Sequence, residues 1–81
     1  MAKGYFFKVP YGKVRRRWEY GRYDSKAAVL DANPGATDIV TARQAIQKFG
    51  PEATGAMARN CILYRPEAEQ EFPEEIVILL R

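Results

Sequence analysis

Aromatic, β-branched and basic residues alternate through the first quarter of the chain, and the pattern predicts a β-hairpin. Gly4 to Val9 (Gly-Tyr-Phe-Phe-Lys-Val) suits a strand, because aromatic and β-branched side chains pack well on a pleated, half-buried surface. Pro10-Tyr11-Gly12-Lys13 predicts the turn: proline presets φ, and glycine accepts the positive φ of a bulged loop. Val14 to Tyr20 predicts the returning strand. Successive side chains point to opposite faces, so Val14, Arg16, Trp18 and Tyr20 share one face and Arg15, Arg17 and Glu19 the other. The economical packing turns Phe7, Val9, Val14, Trp18 and Tyr20 inward. Phe6, Lys8, Arg15 and Arg17 then look outward together, while Arg16 on the inward row has to reach water or a partner.

The pattern changes period after Tyr23. Asp24 or Ser25 can cap a helix over residues 25–32, which Asn33-Pro34-Gly35 ends. Thr37 to Thr41 is short and β-branched and reads as a strand; in the rival reading Asp38 caps the next helix. Ala42, Ala45, Ile46 and Phe49 recur at i, i+3, i+4 and i+7, the stripe of an amphipathic helix that Gly50 and Pro51 stop. Residues 52–58 can add a helical turn, weakened by Gly55. Cys61 to Arg65 reads as a strand ending at Pro66, residues 66–75 as an acidic loop anchored by Phe72, and residues 75–80 as a final strand. The unbroken run Ile76-Val77-Ile78-Leu79-Leu80 suggests a strand covered on both faces. The expected order is β-β-α-β-α-β-β. The class is α+β, with four to five antiparallel strands and one or two helices packed on one face, in a single domain over residues 1–81.

Composition narrows the chemistry. With 81 residues, 47% of them hydrophobic, the chain has material for one thin core and little for a roomy pocket. It has no His and one Cys, so His-ligated metal sites, a Cys-His dyad, an internal disulfide and a thiolate zinc site are all excluded. Ser25, the lone serine, is best used as a helix cap, and Cys61 lies in an apolar run with no base beside it. No phosphate-binding glycine loop follows a strand. The expectation is a non-enzymatic protein without cofactor or metal. A solitary thiol suits a reducing compartment, and no segment resembles a targeting or membrane-spanning sequence, so a cytoplasmic or host-cytoplasmic location is expected.

The charge is unevenly laid out. Residues 1–26 hold eight basic side chains against Glu19 and Asp24, a local net of +6 within an overall +3. Seven of the ten aromatic residues fall in that same segment. Cations neutralise phosphates and exposed rings stack on bases, so the hairpin is the candidate nucleic-acid face, with Phe6, Lys8, Lys13, Arg15, Arg17 and Arg22 as its contacts. The alternative partner is a larger protein. In that reading the chain is an inhibitor or adaptor of a host protein or nucleoprotein complex, of the kind encoded by phages and mobile elements. It would work through the hairpin or through an acidic patch, Glu67, Glu69 and Glu71, that mimics a phosphate backbone. The same carboxylates could instead neutralise the chain's own basic strand.

Overall fold

Two neighbouring phenylalanines govern the layering. Phe6 and Phe7 lie side by side on one strand, point to opposite faces, and are both completely buried. Each face of the sheet must therefore be covered. In the computed structural model, which describes residues 2–61 and 63–81, the strand that carries them is β1 (Lys3–Tyr11). It runs between β2 (Arg15–Tyr23) and β3 (Thr37–Thr41) in an antiparallel sheet of order β2-β1-β3.

The remaining elements are α1 (Lys26–Ala32), α2 (Ala42–Phe49), α3 (Pro51–Asn60), a 3-10 helix over Pro66–Glu71, and α4 (Glu74–Leu80). The fold is α+β, as expected, but the described residues form three strands rather than four or five. The helices also cover both faces instead of one. Val29 of α1 and Ala36 close over Tyr5 and Phe7. On the other face Ala42, Ala45, Met57, Ala58, Phe72 and Ile76, contributed by α2, α3, α4 and the segment before it, close over Phe6 and Tyr20. The second core is held by rings: Phe72 stacks on Phe6 at 5.6 Å and on Tyr64 at 5.9 Å, and meets Tyr20 edge-on at 5.4 Å. Phe72 thus anchors the acidic segment as its size suggests.

The expected cap at Ser25 and the expected stop at Gly50 hold, and the structure adds a cap the sequence reading did not name. Ser25 caps α1, its side chain accepting from the Ala28 N–H at 3.1 Å. Thr41 and Gln44 form a reciprocal capping box at the start of α2, which Gly50 ends at φ 90°. Asp38 is not a helix cap. It sits within β3 at φ 56°, where the pairing passes from Phe6↔Val40 to Lys8↔Thr37 and β3 spends one residue more than β1. A left-handed residue absorbs that extra position as a bulge, and aspartate tolerates the conformation better than most residues.

Two expected strands are absent. The described part of residues 61–65 is a turn, closed by the Tyr64 N–H donating to the Cys61 carbonyl at 3.2 Å; Ile62, within that expectation, lies outside the described residues. Residues 75–80 belong to helix α4. A five-residue apolar run has no readable period; its flanks are compatible with a helix, since Pro73 precedes it and Glu74 and Glu75 occupy the positive end of the helix dipole. Ile76, Val77 and Leu80 turn toward the core, while Ile78 stays 63% exposed. Residues 52–58 form most of a full helix, α3. Gly55, which costs helix propensity, sits where α4 passes: a Cβ there would stand 2.9 Å from Leu79 Cβ.

The hairpin register overturns the expected facing. Strand pairing is Phe6↔Tyr20, Lys8↔Trp18 and Val9↔Arg17 around a three-residue turn, Gly12 to Val14. Phe6, Lys8, Arg16, Trp18 and Tyr20 therefore share one face, and Phe7, Val9, Tyr11, Arg15, Arg17 and Glu19 the other. The four-residue turn expected from Pro10 to Lys13 pairs odd positions with even ones; one residue fewer in the turn reverses that parity. Phe6, expected outside, is core. Val14, expected inside, is 93% exposed at the tip.

Stability measurements check this arrangement. Phe6→Ala and Phe7→Ala are each expected to cost ~3–5 kcal/mol in denaturant unfolding, since each empties a fully packed site on its own face of the sheet. Val14→Ala is expected to stay within ~0.5 kcal/mol. A mild Phe6→Ala would contradict the two-sided core.

Candidate nucleic-acid interface

The outer half of the hairpin has no helix over it. β3 pairs with β1 only as far as Lys8, and residues 10–16 are all exposed. This bare end holds Lys8, Lys13, Arg15, Arg16 and Arg17, with Glu19 as the carboxylate nearest them along the chain.

Its two faces carry different clusters. On one, the Arg17 guanidinium lies 4.8 Å from the centre of the Tyr11 ring and bonds Glu19 Oε1 through Nη2 at 3.0 Å and Nε at 3.2 Å. Tyr11 stands opposite Arg15, so Arg17 meets the ring on the cross-strand diagonal. Arg15 and Lys13 have no ion-pair partner among the described residues. On the other face, Lys8 Nζ stands 5.2 Å over the Trp18 ring, directly across the strand pair. Trp18 meets Phe49 edge-on at 6.3 Å, and Lys48 Nζ lies 5.5 Å from the Phe49 ring. The α2 stripe explains this contact: Ala42 and Ala45 are buried, but the helix ends over the sheet with Phe49 40% exposed. Arg16 is fixed on this face by donating Nη2 to the Lys8 carbonyl at 3.2 Å and the Gly35 carbonyl at 2.5 Å. The outward row expected from the sequence is thus divided. Lys8 lies on one face, Arg15 and Arg17 on the other, Lys13 at the tip, and Phe6 is not available.

Arg22 is at the opposite end of β2. Its Nε pairs with Glu71 Oε1 at 2.5 Å, and Glu71 Oε2 accepts from the Tyr20 hydroxyl. Gly4 permits this approach, because a Cβ there would run into the Tyr20 ring and the Glu71 carboxylate. Burial raises the Glu71 carboxyl above its ordinary value. Glu69 accepts from the Tyr64 hydroxyl at 3.0 Å and lies 4.0 Å from the Arg81 guanidinium; Glu67 is exposed. The acidic segment does neutralise a basic strand of the same chain, at Arg22 rather than at Arg15 to Arg17.

Sequence reasoning overlooked Lys48 and Phe49 as surface residues and assigned Arg16 no specific partner. Trp18 does lie on the core-facing row with Tyr20, as expected, and packs against the larger core and Phe49 of α2, but it is only half-buried, so part of its ring stays at the surface. Lys48 and Phe49 came from a helix read solely for its buried stripe. Among the described residues no three potential ligands gather as a metal site, and no helix is long and apolar enough to cross a membrane. Comparison of the chain with protein-family models, curated proteins and solved structures finds no match.

Cys61 is buried, and removal from water pushes its thiol up from 9.0 to about 11. The unfolded chain ionises the thiol first, so native stability is unaffected below pH 9 and falls as pH rises toward 11, by roughly 2–3 kcal/mol in full. Denaturant titrations across this range are expected to show a steeper decline for the parent than for Cys61→Ala. Parallel declines would mean that the thiol ionises as freely folded as unfolded.

Proposed function

We propose that the bare end of the hairpin binds nucleic acid through its phosphates. The observation that supports this reading most is the concentration of Lys13, Arg15, Arg16 and Arg17 on the two-stranded ribbon beyond β3, with Lys8 at its base; Lys8 and Arg17 lie over aromatic rings. A two-stranded ribbon is narrow enough to follow a groove or a single strand, and cations on both faces let it contact phosphates on either side. Tyr11 and the Trp18–Phe49 pair add ring faces on which unpaired bases can stack. Pairing within the sheet holds the backbone in register, so little ordering remains to be lost on binding. The mode is independent of base sequence and needs no cofactor, metal or catalytic group. The protein-directed alternative draws less support from the acidic patch, since Glu71 and Glu69 are already engaged with Arg22, Tyr20, Tyr64 and Arg81.

Fluorescence of Trp18, the single tryptophan, reports on the interface directly. Addition of an oligonucleotide is expected to change it, with an affinity that falls as salt rises. Arg15→Ala with Arg17→Ala should lower the slope of log affinity against log salt by roughly one unit per lost phosphate contact, with the fold intact. Arg15→Glu with Arg17→Glu should abolish binding. If these reversals leave function untouched while Glu69→Lys with Glu71→Lys removes it from a chain whose circular dichroism and thermal midpoint are unchanged, the acidic patch is the working surface and the partner is a protein.

A further inference from the structure

The far end of the sheet, away from the hairpin tip, brings three strand ends together. β1 begins there at Lys3, β2 finishes at Tyr23 and β3 at Thr41, because both neighbours run antiparallel to β1. Between them opens a cleft of about 460 Å³ lined by Lys3, Gly4, Arg22, Thr41, Arg43 and Glu71, with Ala2 and Ala42. Three cations thus face one carboxylate. Neither Lys3 nor Arg43 has an ion-pair partner among the described residues. Arg22 spends Nε on Glu71, and its Nη2 reaches the Ala2 carbonyl only at 3.4 Å. Its side chain remains 60% exposed, so guanidinium donors stay open to a ligand. The capping box at the start of α2 uses the N–H groups of Thr41 and Gln44, not those of Ala42 and Arg43.

We infer that this cleft is a second anion site, in which Lys3, Arg22 and Arg43 hold a phosphate group. Two ammonium or guanidinium groups without partners, beside a third with donors to spare, exceed what Glu71 neutralises. The volume admits a phosphate or diphosphate with room to spare, and the cationic lining rather than the size selects for an anion. Glu71 positions Arg22 from one side and leaves its outer edge to the ligand. Two sources can supply the group. One is a backbone phosphate of the nucleic acid proposed to lie on the hairpin; β1 spans roughly 26 Å, about the reach of several nucleotides. This source rests on the function proposed above. The other is a free phosphate ester or diphosphate, which does not.

The test uses the full chain and inorganic pyrophosphate, followed by backbone amide shifts. Shifts are expected at Lys3, Gly4, Arg22 and Thr41 to Arg43, and not at Tyr11 to Arg15. Lys3→Ala with Arg43→Ala is expected to weaken pyrophosphate roughly tenfold or more, as loss of charge-assisted contacts should. Glu71→Gln, which keeps the acceptor for Tyr20 and removes the competing charge, is expected to tighten it. A second arm measures the salt dependence of oligonucleotide binding in the Lys3→Ala, Arg43→Ala variant, and a slope lowered by roughly two units assigns the phosphate to nucleic acid. An unchanged slope, with pyrophosphate bound by the parent and weakened by the double substitution, assigns it to a free ester. If oligonucleotide does not bind at all, the hairpin reading fails and the pyrophosphate arm decides this one alone. The inference is overturned if pyrophosphate shifts survive the double substitution, or if neither arm responds to it.

Discussion

Burial of Phe6 and Phe7 on opposite faces of one strand is the constraint on which the rest of the structure depends. Both rings are wholly removed from water, so the central strand cannot present a free face along that stretch. An 81-residue chain must then divide its apolar material between two cores. The smaller is served by α1 and the turn after it, the larger by α2 to α4. Neither core extends under the whole nine-residue length of β1 and β2. The hairpin outgrows its cover, and its outer half is left as a ribbon between two layers of solvent. Basic side chains suit such a position, because repulsion among them discourages edge-to-edge association and their heads stay hydrated.

The same economy explains the close approaches. Small cores are sealed by bringing backbones together where a side chain is missing. Gly4 lets the 3-10 helix lay Glu71 over β1 against Tyr20, and Gly55 lets α4 settle on α3. The acidic segment is drawn in by a stack of rings, Phe6 to Phe72 to Tyr64, and its carboxylates follow. Glu71 then meets Arg22 at the covered end of the hairpin. At the bare end Glu19 engages Arg17, and Lys13 and Arg15 have no ion-pair partner among the described residues. Packing of apolar rings thus sorts the charges, and a modest net charge becomes two separated basic regions.

The identity of most local elements was legible in the sequence. Ser25 and Gly50 carry their meaning in a few neighbouring residues, because capping is made within one turn; the Thr41–Gln44 box is equally local but went unread beside the strand pattern of residues 37–41. Alternation marked the hairpin, and the spacing of Ala42, Ala45, Ile46 and Phe49 marked α2, because backbone periodicity is a local property. The burial of Cys61 and the anchoring by Phe72 followed from hydrophobicity alone. The basic and aromatic bias of the first segment named Lys8, Lys13, Arg15 and Arg17 of the candidate surface, together with Phe6 and Arg22, which the structure places elsewhere.

What the tertiary structure decided is everything that depends on register and on which neighbour arrives. A turn of three residues instead of four exchanged the faces of one strand relative to the other, sending Phe6 to the core and parting Lys8 from Arg15 and Arg17. The two readings differ by one residue of loop, and no local preference separates them decisively. The run from Ile76 to Leu80 is apolar on every side, so strand and helix bury it about equally well; the partner it meets, α3 at Gly55, admits a helix. Sequence alone determined which segments could fold and where charge was abundant. Long-range packing alone determined which faces were covered, because burial is a property of two surfaces and a single stretch of chain encodes only one of them.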